Sequence, residues 1–329
     1  MYKKLSIIIP IYNVEQYVRA CLESVFRQGL ADDDYELILV NDGTQDRSME
    51  VIADLLAAHT NVTVINQENQ GLSVARNNGL ERATGEYVMF LDSDDILIDG
   101  SLSLMLHKAL ATGADIIQAD YMKMSDEEIA SIHSIPVQPE ITWKEHHERE
   151  LFLKGGRVVV WNKLYRLRFL KENQIRFIPG IYQEDIPFTF ECFFKSGMCL
   201  TSNLLMIIYR QHNCSIMTKY TMKRAKDSAF VIGWLTRFQK DAELNQQEYK
   251  RIKDFVFENF RYLMDNLVTM PVSFFKRRHA MSYLIQYAPD LRFTDGIPQK
   301  VITFLYRFSP SLLLMVWWLR RNTRESKHG

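Results

Sequence analysis

Leu5-Ser6-Ile7-Ile8-Ile9-Pro10-Ile11 decides the fold class. So continuous an apolar run reads as a strand covered on both faces, as in a parallel sheet with crossover helices on each side. Working outward, Asn13 can cap a helix, with Gln16 three residues on and Val14, Tyr17, Val18, Cys21, Leu22 and Val25 recurring at helical spacing. Gly29 ends that helix. The same patterning predicts strands over residues 35–40, 62–65 and 87–91, and helices over 46–59, 71–82 and 100–112. Strand and helix in alternation predict a right-handed, doubly wound α/β sheet, in which ligands bind outside the carboxyl ends of the strands. Asn13, Asn41, Asp42, Asp92 and Asp94 each follow a predicted strand and are expected on that one edge.

Periodicity weakens over residues 122–148, where Pro136 and Pro139 break it, and a connection with short mixed elements is expected there. A mixed region to about residue 217 carries a helix over 186–195 and a strand near 204–209. Beyond Lys219 the pattern is almost wholly helical, over 222–238, 247–270 and 272–287. The expected organisation is therefore residues 1–217 as one α/β domain and 218–329 as a mainly helical C-terminal region.

With 40 basic and 40 acidic residues, no global field marks nucleic acid as a partner. Cys21, Cys192, Cys199 and Cys214 are scattered without a Cys-x-x-Cys pair, so free thiols in a reducing cytosol are expected rather than disulfides or zinc. The first apolar run is too short for a signal-peptide core, and no stretch reaches the roughly 20 apolar residues that span a bilayer.

Chemistry concentrates in four places. Phe90-Leu91-Asp92-Ser93-Asp94-Asp95 crowds three carboxylates at a strand end, which repel one another unless a cation sits among them. A hard divalent ion held by one or two carboxylates can take a diphosphate as its remaining ligands. The plainer alternative is that these aspartates cap the helix starting near Gly100. In Val40-Asn41-Asp42-Gly43-Thr44-Gln45-Asp46, an acid at a strand end can accept the N–H of a pyrimidine base. Thr44 or Asp46 can instead serve a turn or a helix cap. The stretch from Gly71 to Gly79 opens a helix on a glycine, leaving backbone N–H groups for phosphate, with Arg76 one turn inside. Arg76 could equally be a surface residue pairing with Glu81 or Asp95. Finally, Glu184-Asp185 precedes an apolar helix. The pair can be an N-terminal charge clamp, or Asp185 can be the base that an attacking hydroxyl requires.

Together, the residues from Ser6 to Asn13, Val40 to Thr44, Gly71 to Gly79 and Phe90 to Asp95 resemble the family 2 glycosyltransferases of the GT-A (nucleotide-diphospho-sugar transferase, Rossmann-like) fold. Trp161-Asn162-Lys163-Leu164-Tyr165-Arg166, Glu184-Asp185, and Tyr209-Arg210 followed by Ser215-Ile216-Met217 resemble the bacterial cell-surface polysaccharide branch of that family. The resemblance implies an inverting, metal-dependent hexosyltransferase moving a sugar from a nucleotide diphosphate, expected to be UDP, to an acceptor hydroxyl in capsular, exo- or lipopolysaccharide synthesis. It implies Pro10 and Tyr12 at the uracil, Asp42 on the base N3–H, and Arg76 beside the nucleotide. Asp92 is implied at ribose or metal, Asp94 and His212 as ligands of Mn²⁺ or Mg²⁺, and Asp185 as general base. Where the family carries Asp-Asp in the second block, this chain has Asn41-Asp42. A sugar nucleotidyltransferase would need a glycine-rich, arginine-bearing loop where Pro10-Ile11-Tyr12-Asn13 stands. A non-catalytic nucleotide-sugar or glycan-binding module would not need Asp94 and Asp185 together.

Residues 304–321 combine apolar bulk, Trp317 and Trp318 with flanking arginines. They could lie in a membrane interface and bring the enzyme, from the cytoplasmic side, to a lipid-linked glycan acceptor. Alternatively they pack on their own domain or on a second subunit.

Overall fold

The computed structural model describes residues 3–131, 135, 137–138, 140–211 and 220–325, without the side chains of 322–325. The chain divides into two compact units, residues 1–180 with 184–215, and residues 181–183 with 216–329.

In the first unit the opening strands run as expected: β1 (Leu5–Ile11), β2 (Tyr35–Asn41), β3 (Val62–Asn66) and β4 (Tyr87–Phe90). β1 pairs in parallel with both β2 and β4, and β2 with β3, so their carboxyl ends share one edge. Every residue of β1 is buried, which is the physical meaning of its unbroken apolar run. The helices α3 (Leu72–Arg82) and α4 (Ser101–Thr112) stand where periodicity puts them. α3 lies so close to β1 that a Cβ on Gly79 would come within 2.4 Å of Ile8 Cγ2, so only glycine fits there without a shift.

Beyond β4 the sheet departs from a purely parallel, doubly wound plan. β5 (Ile96–Leu97), β6 (Ile116–Ser125), β7 (Trp143–His147), β8 (Lys163–Arg166) and β9 (Met198–Gln211) extend it in the order β3-β2-β1-β4-β8-β6-β9-β5, with β7 also on β9. β8 lies antiparallel to both β4 and β6. The stretch expected to hold short mixed elements carries the end of β6, α5 (Asp126–Ser131) and β7. β6 is poorly patterned because its pairing with β9 slips at Asp120, which scrambles strict alternation.

Two helix starts also differ from expectation. α1 spans Val18–Phe26, with Tyr17 rather than Asn13 at its N-cap position, and α2 spans Ala53–Ala58 rather than starting at Asp46. The polar residues read as caps instead join two loops. Asn13 takes a left-handed φ of 53°, its N–H donates to Thr44 Oγ1 (2.8 Å), and its Oδ1 accepts from Gln45 N (3.0 Å). Glu15 N donates to Asp46 Oδ2 (2.9 Å) and Arg47 N to Glu15 Oε2 (3.0 Å). Pairing with a distant loop outcompetes the local cap.

The second unit is helical: α9 (Met222–Asp241), α10 (Gln246–Thr269), α11 (Phe274–Tyr287), α12 (Gly296–Phe308) and α13 (Pro310–Glu325). α10 opens on a capping box between Asn245 and Glu248. α9 and α11 approach until a Cβ on Gly233 would lie 2.4 Å from Tyr287 O.

Candidate active site

Asp42 follows β2 and is almost fully buried. Its Oδ1 accepts from Gln67 Nε2 (2.7 Å) and Gln70 N (2.8 Å), and its Oδ2 from Gly71 N (2.9 Å). The N–H of Gly71, just before α3, is therefore taken by Asp42. A carboxylate has about four acceptor positions, so these three donors leave Asp42 one more. Gly43 (φ 68°) lies against this loop, where a Cβ would meet Asn69 N at 2.9 Å. Asn41 contributes as an amide, donating to Asn66 Oδ1 (2.9 Å) and accepting from Thr44 N (3.0 Å), a two-way role that a carboxylate could not fill.

One turn into α3, the Arg76 side chain is 1% exposed, which overturns its reading as a surface residue paired with Glu81 or Asp95. Its guanidinium donates to Asp92 Oδ1 (2.7 Å), Glu184 Oε1 (2.8 Å) and Asp185 Oδ1 (3.0 Å). Phe177 lies under it, 5.2 Å from ring centroid to guanidinium carbon. Glu81 pairs with Arg176 instead.

Asp185 begins α8 (Asp185–Lys195), so helix N-terminus and Arg76 both set positive charge beside it. Its Oδ2 accepts from Val160 N at 3.2 Å. Three carboxylates share one guanidinium, and the crowding shows in the proton affinities of Glu184 and Asp92. Burial and the neighbouring Asp185 push Glu184 up to about 7 against the pull of Arg76. Burial, Asp94 and Asp185 raise Asp92 to about 6. Behind them, burial pulls the Lys163 ammonium down to about 7, although it donates to Asn162 Oδ1 (2.7 Å) and Val159 O (2.5 Å).

A raised carboxylate makes the folded state bind protons more tightly than the unfolded one, so stability falls as pH rises from the unfolded value toward the folded one. For Glu184 that window runs from 4.5 to about 7. Glu184→Gln is expected to remove this slope, on the order of 3 kcal/mol across the window. Urea unfolding of both proteins at several pH values checks it, and parallel pH profiles would contradict it.

The acidic loop does not cap α4, which starts after Gly100 without a side-chain cap bond. Arg210 holds it instead: its N–H donates to Asp95 Oδ1 (3.0 Å) and its Nε to Asp94 O (2.8 Å). Asp95 Oδ2 is buried without a hydrogen-bond partner among the described residues, and burial with Asp94 and Asp92 raises its carboxyl well above the usual range. Asp94 is half-buried.

Of the residues singled out from sequence, Arg76, Asp92 and Asp185 are joined directly, Asp42 holds Gly71 at the start of the helix that carries Arg76, and Asp94 stands two residues on from Asp92. Pro10 is buried in β1 beside Val40, and Tyr12 stands past the strand end, 45% exposed. His212 lies outside the described residues. Glu184 as a third carboxylate on Arg76, and Arg210 as the brace of the acidic loop, escaped the sequence reading. A charged residue ending the apolar run Ile207-Ile208-Tyr209-Arg210 was the available signal, because a buried charge requires a partner.

One edge of parallel strand ends thus gathers carboxylates around the buried Arg76. Residues 6–173 match glycosyl transferase family 2, and the chain belongs to that family. It is 33% identical over 69% of its length to the uncharacterized glycosyltransferase EpsJ of Bacillus subtilis, and 31% identical over 81% to the putative glycosyltransferase EpsH of the same organism. It spans 66% of EpsJ and 74% of EpsH. Among solved structures, S. aureus TarS 1–349 in complex with UDP-GlcNAc superposes with a TM-score of 0.78 at 18% identity, covering 97% of this chain and 92% of that one. The sheet is thus of the GT-A type, followed by a helical C-terminal region.

Proposed function

We propose that the chain transfers a sugar, with inversion, from a UDP-linked donor to an acceptor hydroxyl of a cell-surface glycan. One observation carries the reading: a single buried guanidinium binds both Asp92, beside the acidic loop, and Asp185, a carboxylate at a helix head. That arrangement fixes a donor-side acid and a candidate base relative to each other, as an in-line displacement needs. A binding module would gain nothing from the cost of crowding three acids there. We further propose a cytoplasmic setting, in which the buried thiols of Cys21, Cys192 and Cys199 would stay reduced; Cys214 lies outside the described residues.

The residues present fit a hard divalent cation. Asp92, Asp94 and Asp95 are oxygen donors crowded on one loop, burial and then neighbouring acids raise Asp92 and Asp95, and Asp95 Oδ2 lacks a partner among the described residues. Among the described residues no three such side chains form a ready-made cage, so an ion here would need further oxygen ligands, such as those of a diphosphate. Asp94, with Asp92, would hold Mn²⁺ or Mg²⁺. When bound, the ion would neutralise charge on the departing diphosphate.

Tyr12 offers an exposed ring for the base to stack on, and Asp42 its remaining acceptor position for the base N–H. Arg76, enclosed by acids, orients Asp92 and Asp185 rather than touching phosphate. Asp185 takes the acceptor's hydroxyl proton as the new C–O bond forms at the anomeric carbon. The bond to the diphosphate breaks as that happens, and its electron pair leaves with UDP.

A panel of nucleotide sugars assayed for Mn²⁺-dependent nucleotide release tests this, with UDP-sugars expected to turn over. Absence of release from every donor, in the presence of bacterial glycan acceptors, would reject the reading. Asp94→Ala is expected to weaken Mn²⁺-dependent UDP binding by at least about tenfold, since disturbing even an outer-shell partner costs about that much. Calorimetric titration with and without Mn²⁺ shows whether the loss is confined to the metal-containing arm.

A further inference from the structure

α13 packs inward through Leu313, Leu314 and Trp317, and Trp317 Nε1 donates to Asp265 Oδ1 of α10 at 2.8 Å. α12 packs inward through Ile302 and Tyr306. Each helix nevertheless carries a second apolar stripe on the side facing away from these contacts. On α12 it is Ile297, Val301, Phe304 and Phe308, spaced four, three and four residues apart; Phe304 is 59% and Phe308 74% exposed. On α13 it is Leu312, Met315, Val316 and Leu319, all exposed. Amphipathic helices of a soluble domain keep that side polar. A helix apolar on both sides needs a second cover.

Charge identifies the cover. From residue 296 to 324 the chain carries Lys300, Arg307, Arg320, Arg321 and Arg324 and no aspartate or glutamate, although the whole chain is balanced at 40 against 40. A second copy docked on this face would bring two such basic segments together, which like-charge repulsion opposes. Among the described residues no helix is long and apolar enough to cross a membrane. An apolar stripe flanked by cations suits a helix lying in the plane of a lipid surface, its apolar side below the headgroups.

We propose that α12 and α13 form a docking face for an anionic lipid surface, with Phe304, Phe308, Leu312 and Met315 entering the interface and Lys300 and Arg307 reaching acidic headgroups. The face is independent of the transfer chemistry. The full chain is floated with vesicles of phosphatidylcholine alone and of phosphatidylcholine with phosphatidylglycerol. Binding is expected to the anionic vesicles and to weaken with salt, as surface attraction does beyond a Debye length of about 8 Å. Near an anionic surface each basic residue changes affinity by roughly fivefold, so Lys300→Glu with Arg307→Glu should lower it by at least about 25-fold. Phe304→Ser with Phe308→Ser should lower it by at least about 100-fold. Both variants alter outward-facing residues, so circular dichroism and UDP binding should match the parent protein and separate lost docking from lost folding. Equal binding to both vesicles, no binding to either, or a solution dimer that Phe304→Ser with Phe308→Ser converts to monomer would each overturn the proposal.

Discussion

Asp185→Asn is expected to lower the transfer rate by about 10²–10⁴-fold while leaving UDP binding intact. Asparagine has nearly the volume of aspartate, and its one carbonyl oxygen can keep either the Arg76 or the Val160 N bond, the NH2 group facing the other donor. It cannot take up the acceptor's proton. The loss should therefore fall on kcat, with the Kd for UDP measured by calorimetry changing little. Wild-type turnover in the Asp185→Asn protein would remove Asp185 as base and leave Glu184, the other acid on Arg76, as the next residue to test.

Arg76→Ala should be the most damaging single change to stability in the first unit. It strips the shared cation from Asp92, Glu184 and Asp185, which remain packed around the vacated space. Breaking a buried ion pair by removing one partner costs about 3–5 kcal/mol, because the desolvated charge left behind has nothing to offset it. The deficit should shrink in acid. Burial already holds Glu184 up to about 7 and Asp92 at about 6, and loss of the cation raises both further, so near pH ~5 they carry protons rather than repelling charge. Arg76→Lys, which keeps the charge but not the planar fork, should fall in between. Urea unfolding at two pH values reads both effects. A loss under about 1 kcal/mol for Arg76→Ala would mean the acids relax apart without their cation.

Sequence made the first half of the sheet legible because β1, β2 and β4 are largely buried on both faces and helices punctuate the run from β1 to β4. Leu5–Ile11 was read to the residue. The region after Asp120 was harder: β6 slips register against β9, and β8 is a four-residue strand inserted antiparallel between β4 and β6. Short strands paired over long separations leave little periodic trace. For the site, the acids and Arg76 could be found from their positions after strands, but their mutual contacts could not. Arg76 and Asp185 lie 109 residues apart, and only the tertiary fold shows that Arg76 faces acids rather than solvent. Asn13, Thr44 and Asp46 misled for a related reason, since residues suited to capping were used to tie two loops together.

The antiparallel β8 also bears on how the chain is made. β4 pairs with β1 on one side, but its other margin waits for residues 163–166. At about 5–20 residues per second on the ribosome, Tyr87-Val88-Met89-Phe90 would stand half-paired for roughly 4–15 s before its partner emerges. An apolar strand margin left open that long is a template for pairing with another nascent copy. Yield in the cell should therefore depend on chaperone supply and translation speed across residues 91–162 more than on the final stability of the folded enzyme.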